Sequence, residues 1–310
     1  MQWRARCCFQ IVQKTGFVIL ATLIFSSVMP FPVRSERLQQ TATPDTSAGE
    51  PYASLVTGIT ETTREIFERG RLNGNRINVF SKVGDSMTVD SHSLYPIGWG
   101  GYELHNYNYL LPVIRYFSFA TARDDNSFAN HSLAAGNGWT SEDVFHAQVT
   151  ADYLKNCRVA EAPLLCEYRI VKPSIALIML GTNDVAELTP QKSQAYIRLI
   201  IETSIDKGIV PVLTTIPIRL EYEQEVADFN ERIKNLSVEY GIPLWDYAAI
   251  MDKLPHKGLS DDGVHPSYPP GNSREAADFS PENLQYGYTA RNLLALHMLD
   301  KLWREVIFAR

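Results

Sequence analysis

Short apolar runs alternate along the chain with longer stretches in which apolar residues recur at helical spacing. Residues 77–83, Ile-Asn-Val-Phe-Ser-Lys-Val, form the first run and predict a strand. Residues 127–133 are a second strand candidate. Residues 174–180, Ser-Ile-Ala-Leu-Ile-Met-Leu, are apolar on both faces, as a central parallel strand should be. Residues 209–216 and 243–246 predict two more strands. Between these lie the helical patterns. Leu110, Leu111, Ile114 and Phe117 place one over residues 107–117. Thr140-Ser141-Glu142-Asp143 reads as the capped start of another. Thr189-Pro190 opens a helix to about Lys207, residues 222–240 are helical, and a long C-terminal helix is expected over 282–308. Strands alternating with helices predict an α/β fold with a parallel sheet covered on both faces. Ligands of such sheets bind at the carboxyl ends of the strands.

The N-terminus breaks this pattern. Arg4, Arg6 and Lys14 precede an almost wholly apolar stretch, residues 17–31. Residues 1–35 are therefore expected to be a signal peptide or, if uncleaved, a membrane anchor. Residues 36–51, rich in Gln, Thr, Ser, Ala and Pro, read as a linker. One domain over 52–310 remains, and its place is outside the cytoplasm: extracellular, periplasmic or on the cell surface. Cys7 and Cys8 precede the apolar stretch, so Cys157 and Cys166 are the only cysteines of the mature chain. In an oxidising compartment they should form one disulfide. The net charge of −6 and the lack of a long basic run give no sign of a nucleic-acid partner. A membrane partner is expected only if the N-terminal segment stays uncleaved.

Chemistry concentrates at strand ends. Gly84-Asp85-Ser86 follows the first strand, so Ser86 can present its hydroxyl at the top of the sheet. Asp85 reads as a turn-stabilising carboxylate. Gly181-Thr182-Asn183-Asp184 follows the central strand, and Asn183 offers a carboxamide there. Asp262 and His265 are spaced to share one face of a helical turn, so Asp262 can orient an imidazole whose other nitrogen faces Ser86. Asp261 is the rival orienter. Apart from His146, which follows Asp143 by three, the other histidines lack an acidic residue three positions before them, and all of them read as ordinary surface or core residues. Gly138 offers an open backbone N–H in the glycine-containing turn 136–141, and Gly136 is its competitor. Tyr95, Trp99, Tyr102, Tyr107 and Tyr109 are either a sugar-stacking set or core packing. Residues 267–281 are a lid or a surface loop.

Taken together, these segments resemble the blocks of SGNH hydrolases, also called GDSL-type esterases. Gly84-Asp85-Ser86 matches the nucleophile block with Met87 in place of leucine; Gly138-Trp139-Thr140 matches the Gly-x-Thr of the second block. Gly181-Thr182-Asn183-Asp184 and Asp262-Gly263-Val264-His265-Pro266 match the remaining two in full. The resemblance implies a flavodoxin-like three-layer α/β/α sandwich. It implies Ser86 as nucleophile, His265 as base and Asp262 as orienter, with an oxyanion hole of the Ser86 and Gly138 N–H groups and the Asn183 side chain. It implies no metal and no organic cofactor. The expected substrate is a small-acyl or carbohydrate-linked ester. A lipase or thioesterase of the same family, or a non-catalytic glycan-binding scaffold, are the alternatives.

Overall fold

The computed structural model describes residues 50–148 and 150–309. The expected leader, 1–35, lies outside the described residues, as does the linker, 36–51, except for its last two residues. Those two begin a one-turn helix, Glu50–Ala53.

Five strands form one sheet: β1 (Val56–Thr57), β2 (Arg76–Gly84), β3 (Pro173–Met179), β4 (Val210–Thr214) and β5 (Leu244–Trp245). Their order is β1-β5-β4-β3-β2. All pairings are parallel except β1 with β5, which is antiparallel. Every residue of β3 is buried, which explains why its sequence is apolar on both faces. The main helices are α1 (Glu61–Leu72), α2 (Leu111–Ser118), α3 (Pro163–Val171), α4 (Pro190–Asp206), α5 (Glu223–Tyr240) and α6 (Gly287–Leu302). They pack on β2, β3, β4 and β5, with α6 against α2 and α5 against α4. This is the expected α/β arrangement. No helix among the described residues is long and apolar enough to cross a membrane.

The strand expected over 127–133 does not form. Only a parallel bridge between Ala135 and Gly84 survives there. Side chains have taken the backbone groups that a ladder would use. The Ser127 hydroxyl accepts from the Phe80 N–H at 3.0 Å, and a Glu167 carboxylate oxygen accepts from the Leu133 N–H at 2.9 Å. Asn126 Oδ1 accepts from the Phe128 and Ala129 N–H groups. The bridge still has a consequence. The chain leaves β2 on one side through Ala135 and returns as β3 on the other. That makes the carboxyl ends of β2 and β3 a topological switch point, where such sheets bind ligands.

Two helix boundaries also differ. Thr140 starts no α-helix, only a 3₁₀ turn over Asp143–Phe145. Asp143 reaches back instead, its Oδ2 accepting from the Thr140 N–H at 2.8 Å and from the Thr140 hydroxyl at 2.7 Å. The C-terminal helix begins at Gly287, because Tyr286 is extended, and passes into a π turn at Trp303–Ile307. A Cβ at Gly287 would lie 2.4 Å from the Gly258 carbonyl oxygen, so this start requires glycine. Helices α1 and α3 and strand β1 have no counterpart in the sequence reading.

Candidate active site

Ser86 opens a one-turn helix, Ser86–Val89, at the end of β2. Asp85 caps that turn, its Oδ1 accepting from the Met87 N–H at 3.0 Å. Gly84 is required by close approach: a Cβ would lie 2.1 Å from Thr88 Oγ1 and 2.8 Å from the Met179 carbonyl oxygen. Asp85 is fully buried and its Oδ2 has no hydrogen-bond partner among the described residues. Burial pushes its carboxyl up to about 6, against the pull of the Met87 N–H and of Arg291. Arg291, from α6, is itself buried and donates to the Ser93 hydroxyl, to Thr88 Oγ1 and to Met179 Sδ. A cation thus underlies the turn that carries Ser86.

Ser86 Oγ lies 2.9 Å from His265 Nε2, and His265 Nδ1 lies 2.7 Å from Asp262 Oδ2. The three side chains form one hydrogen-bonded chain. Asp262 and His265 meet, but not on a helical turn. Gly263 adopts a left-handed φ of 68°, and Asp262 Oδ1 gathers the Val264 and His265 N–H groups at 2.9 Å each and the Ser260 hydroxyl at 2.8 Å. Although partial burial works against it, these donors hold the Asp262 carboxyl well below the usual carboxylate range. Asp261 is exposed, and the ion pair of His265 is with Asp262.

Asn183 follows β3 and donates its side-chain N–H to the Trp139 carbonyl at 2.9 Å. One amide hydrogen is spent on orientation and the second remains for another acceptor. Its neighbour Asp184, 1% exposed, accepts from the Ser141 N–H at 2.8 Å and from the Ser141 and Ser193 hydroxyls at 2.6 Å each. The loop bearing Gly138 is therefore stitched to the Asn183 turn at two points. The two candidate glycines separate clearly. The Gly136 N–H donates to the Gly84 carbonyl at 3.2 Å and is consumed by the sheet bridge. Gly138 is exposed, with φ of 72° and nothing within 4 Å of a Cβ position, and its N–H has no acceptor among the described residues.

Other sequence-selected residues fall elsewhere. Tyr95 and Tyr107 are buried in the core, Tyr102 and Tyr109 pack against it, and Trp99 stands half exposed beside the Tyr95 ring. That is the packing alternative for this set. Residues 267–281 are tied down, with Ala276, Ala277 and Phe279 buried and the Ala276 carbonyl held by Asn292. His92 and His105 do have carboxylate partners, Asp90 at 2.8 Å and Asp278 at 2.6 Å. The i−3 rule missed both. Burial pushes His297 down to about 4.

Cys157 and Cys166 are joined in a disulfide. They and Glu161 are the one group of potential metal ligands found among the described residues. Both sulfurs are committed to each other, and Glu161 pairs with Arg169 at 2.6 Å.

The chain matches the profile of the GDSL-like Lipase/Acylhydrolase family over residues 83–269, from the strand before Ser86 to just beyond His265. It belongs to this family. The GDSL-like lipase of Bacteroides thetaiotaomicron is 16% identical, with 81% of this chain and 98% of that one covered and a TM-score of 0.43. The psychrotrophic esterase EstA of Pseudoalteromonas is 15% identical, with 73% and 97% covered and a TM-score of 0.43. A carbohydrate esterase of family 3 from Talaromyces cellulolyticus is 15% identical, with 76% and 100% covered and a TM-score of 0.44. No curated protein matches the chain by sequence. Membership makes this chain a hydrolase of the lipase/acylhydrolase kind.

Proposed function

We propose that this GDSL hydrolase is an exported serine esterase acting on a small-acyl or carbohydrate-linked ester. The observation that carries the reading is the hydrogen-bonded chain from Ser86 through His265 to Asp262 at the switch point of the sheet. Asp262 fixes the tautomer with Nδ1 protonated, so Nε2 accepts the Ser86 hydroxyl proton. Ser86 Oγ bonds to the ester carbonyl carbon, and negative charge develops on the carbonyl oxygen. The N–H groups of Ser86 and Gly138 and the second N–H of Asn183 receive that charge. Collapse expels the alcohol, which takes the proton from His265. Water, deprotonated by His265, then releases the acid and restores Ser86.

Export is supported by the disulfide and by the charged-then-apolar N-terminal pattern. The test uses protein lacking residues 1–35 against nitrophenyl esters of rising acyl length and acetylated sugars. Activity should fall from acetyl to longer chains and vanish in Ser86→Ala. Rising activity with chain length would favour a lipase or thioesterase.

A further inference from the structure

A cleft of about 560 Å³ opens at the end of the turn that Ser86 begins. It starts at Val89, the last residue of the Ser86 turn, and at Gly136 and Asn137 of the loop bearing Gly138. Its far wall is Asp152 and Tyr153, and His131, Gln148 and Trp139 complete the polar and aromatic lining. We propose that this cleft is the alcohol subsite of the esterase and that it holds a glycosyl unit of the ester, a reading that rests on the function proposed above.

The lining chemistry argues for a polyol. Sugar hydroxyls are donors in need of fixed acceptors, and the lining supplies them. Asp152 offers a carboxylate. Gln148 spends its side-chain N–H on the His146 carbonyl at 2.7 Å, which leaves its amide oxygen. The His131 ring is held through Nδ1 by the Tyr95 hydroxyl at 3.2 Å. Trp139 adds aromatic surface on which a sugar ring packs, with the buried Tyr153 behind it. An acyl chain in the same place would strip water from the Gln148 amide oxygen and from the remaining lone pairs of the Asp152 carboxylate without offering them a donor.

The far wall is also built to keep its place. Arg123, its side chain only 6% exposed, grips Asp152 with two bonds of 2.9 and 2.7 Å and donates to the His131 carbonyl at 2.9 Å. One guanidinium thereby joins the wall to the floor. The wall helix, Ala151–Asn156, runs into Cys157, whose disulfide ties it to Cys166 of α3. Helix α3 is fixed in turn by buried Glu167, which accepts from the Ser81 hydroxyl of β2 at 2.7 Å. The disulfide is thus a clip on the subsite, remote from the chemistry at Ser86.

The probe is a mono-acetylated methyl glucoside, titrated by calorimetry into Ser86→Ala protein so that binding is read apart from turnover. Adding Asp152→Asn should weaken binding about tenfold, the loss of one charge-assisted hydrogen bond. Gln148→Ala, which disturbs no ion pair, should weaken it about threefold. In the enzyme with Ser86 intact, Cys157→Ser with Cys166→Ser should lower the ratio of kcat/KM for the acetylated glucoside over that for nitrophenyl acetate. Unchanged affinity in both lining variants, or displacement of the glucoside by hexanoate but not by methyl glucoside, would overturn the subsite. Binding that depends on Asp152 in a protein that hydrolyses no ester would uphold the cleft and defeat the esterase reading instead.

Discussion

Two aspartates bracket the site and work in opposite ways. Asp184 is buried and reaches across 43 residues to take the N–H and hydroxyl of Ser141, together with the Ser193 hydroxyl. Asp262 has a half-exposed side chain and organises its own turn, taking N–H groups two and three residues ahead before it meets the His265 ring. The first holds the proposed oxyanion donors through long-range buried bonds. The second holds the proposed base through local geometry. The proposed nucleophile stands between them, on a turn whose own aspartate, Asp85, is buried with one oxygen unpaired among the described residues. Donors that receive charge must not yield as it develops, so a rigid buried network suits them. A base that takes up and returns a proton needs orientation more than enclosure.

Asp262→Asn breaks the local half. It should lower kcat by about 10³–10⁴ through loss of the correct tautomer, with little change in melting temperature. Asp261→Asn should leave kcat within about threefold, since an exposed surface change is mild. Equal losses in steady-state assays at the two positions would dissolve the assignment. Asn183→Ala tests the other half: kcat should fall by about 10²–10³ with KM little changed, because the donor matters most in the transition state.

Asp184→Ala should reverse the Asp262 pattern. Leaving the buried Ser141 N–H unpaired should cost about 1–3 kcal/mol in denaturant unfolding, with kcat falling as the donor loop loosens. Asp85→Asn probes the carboxylate between them. A folded-state value near 6, above the ordinary 3.8, means that the fold favours the protonated form. Its stabilisation is full below about pH 4 and is lost as pH rises through about 6. The asparagine variant should therefore gain on the wild type across that window, by on the order of 2 kcal/mol. A gap that stays constant from pH 4 to 7 in thermal melts would contradict this. Removing the disulfide should cost at most about 2–3 kcal/mol, because the loop it closes is short.

The same contrast explains what the sequence made legible. Asp262 and His265 are near neighbours, so their partnership can be read from spacing, although the turn that joins them is left-handed at Gly263 rather than helical. The partnerships of Asn183 with Trp139 and of Asp184 with Ser141 span more than 40 residues and leave no local pattern. The apolar runs located β2, β3, β4 and β5 for the same local reason. They misled at 127–133, where Ser127, Asn126 and Glu167 replace the ladder with side-chain bonds. Helix α1 escaped notice because it buries only Thr63, Ile66, Phe67 and Gly70 among many charges. Buried Lys82, Glu167 and Arg291 run against the rule that charges stay outside, so nothing in the pattern announced them.

The central claim is that Ser86 is the nucleophile which His265 activates. An organophosphonate ester should form one covalent adduct, mapped by mass spectrometry of the peptides to Ser86. The rate of labelling should collapse in Asp262→Asn and persist in Asp261→Asn. An adduct on another residue, or none in a protein that still hydrolyses esters, would contradict the account.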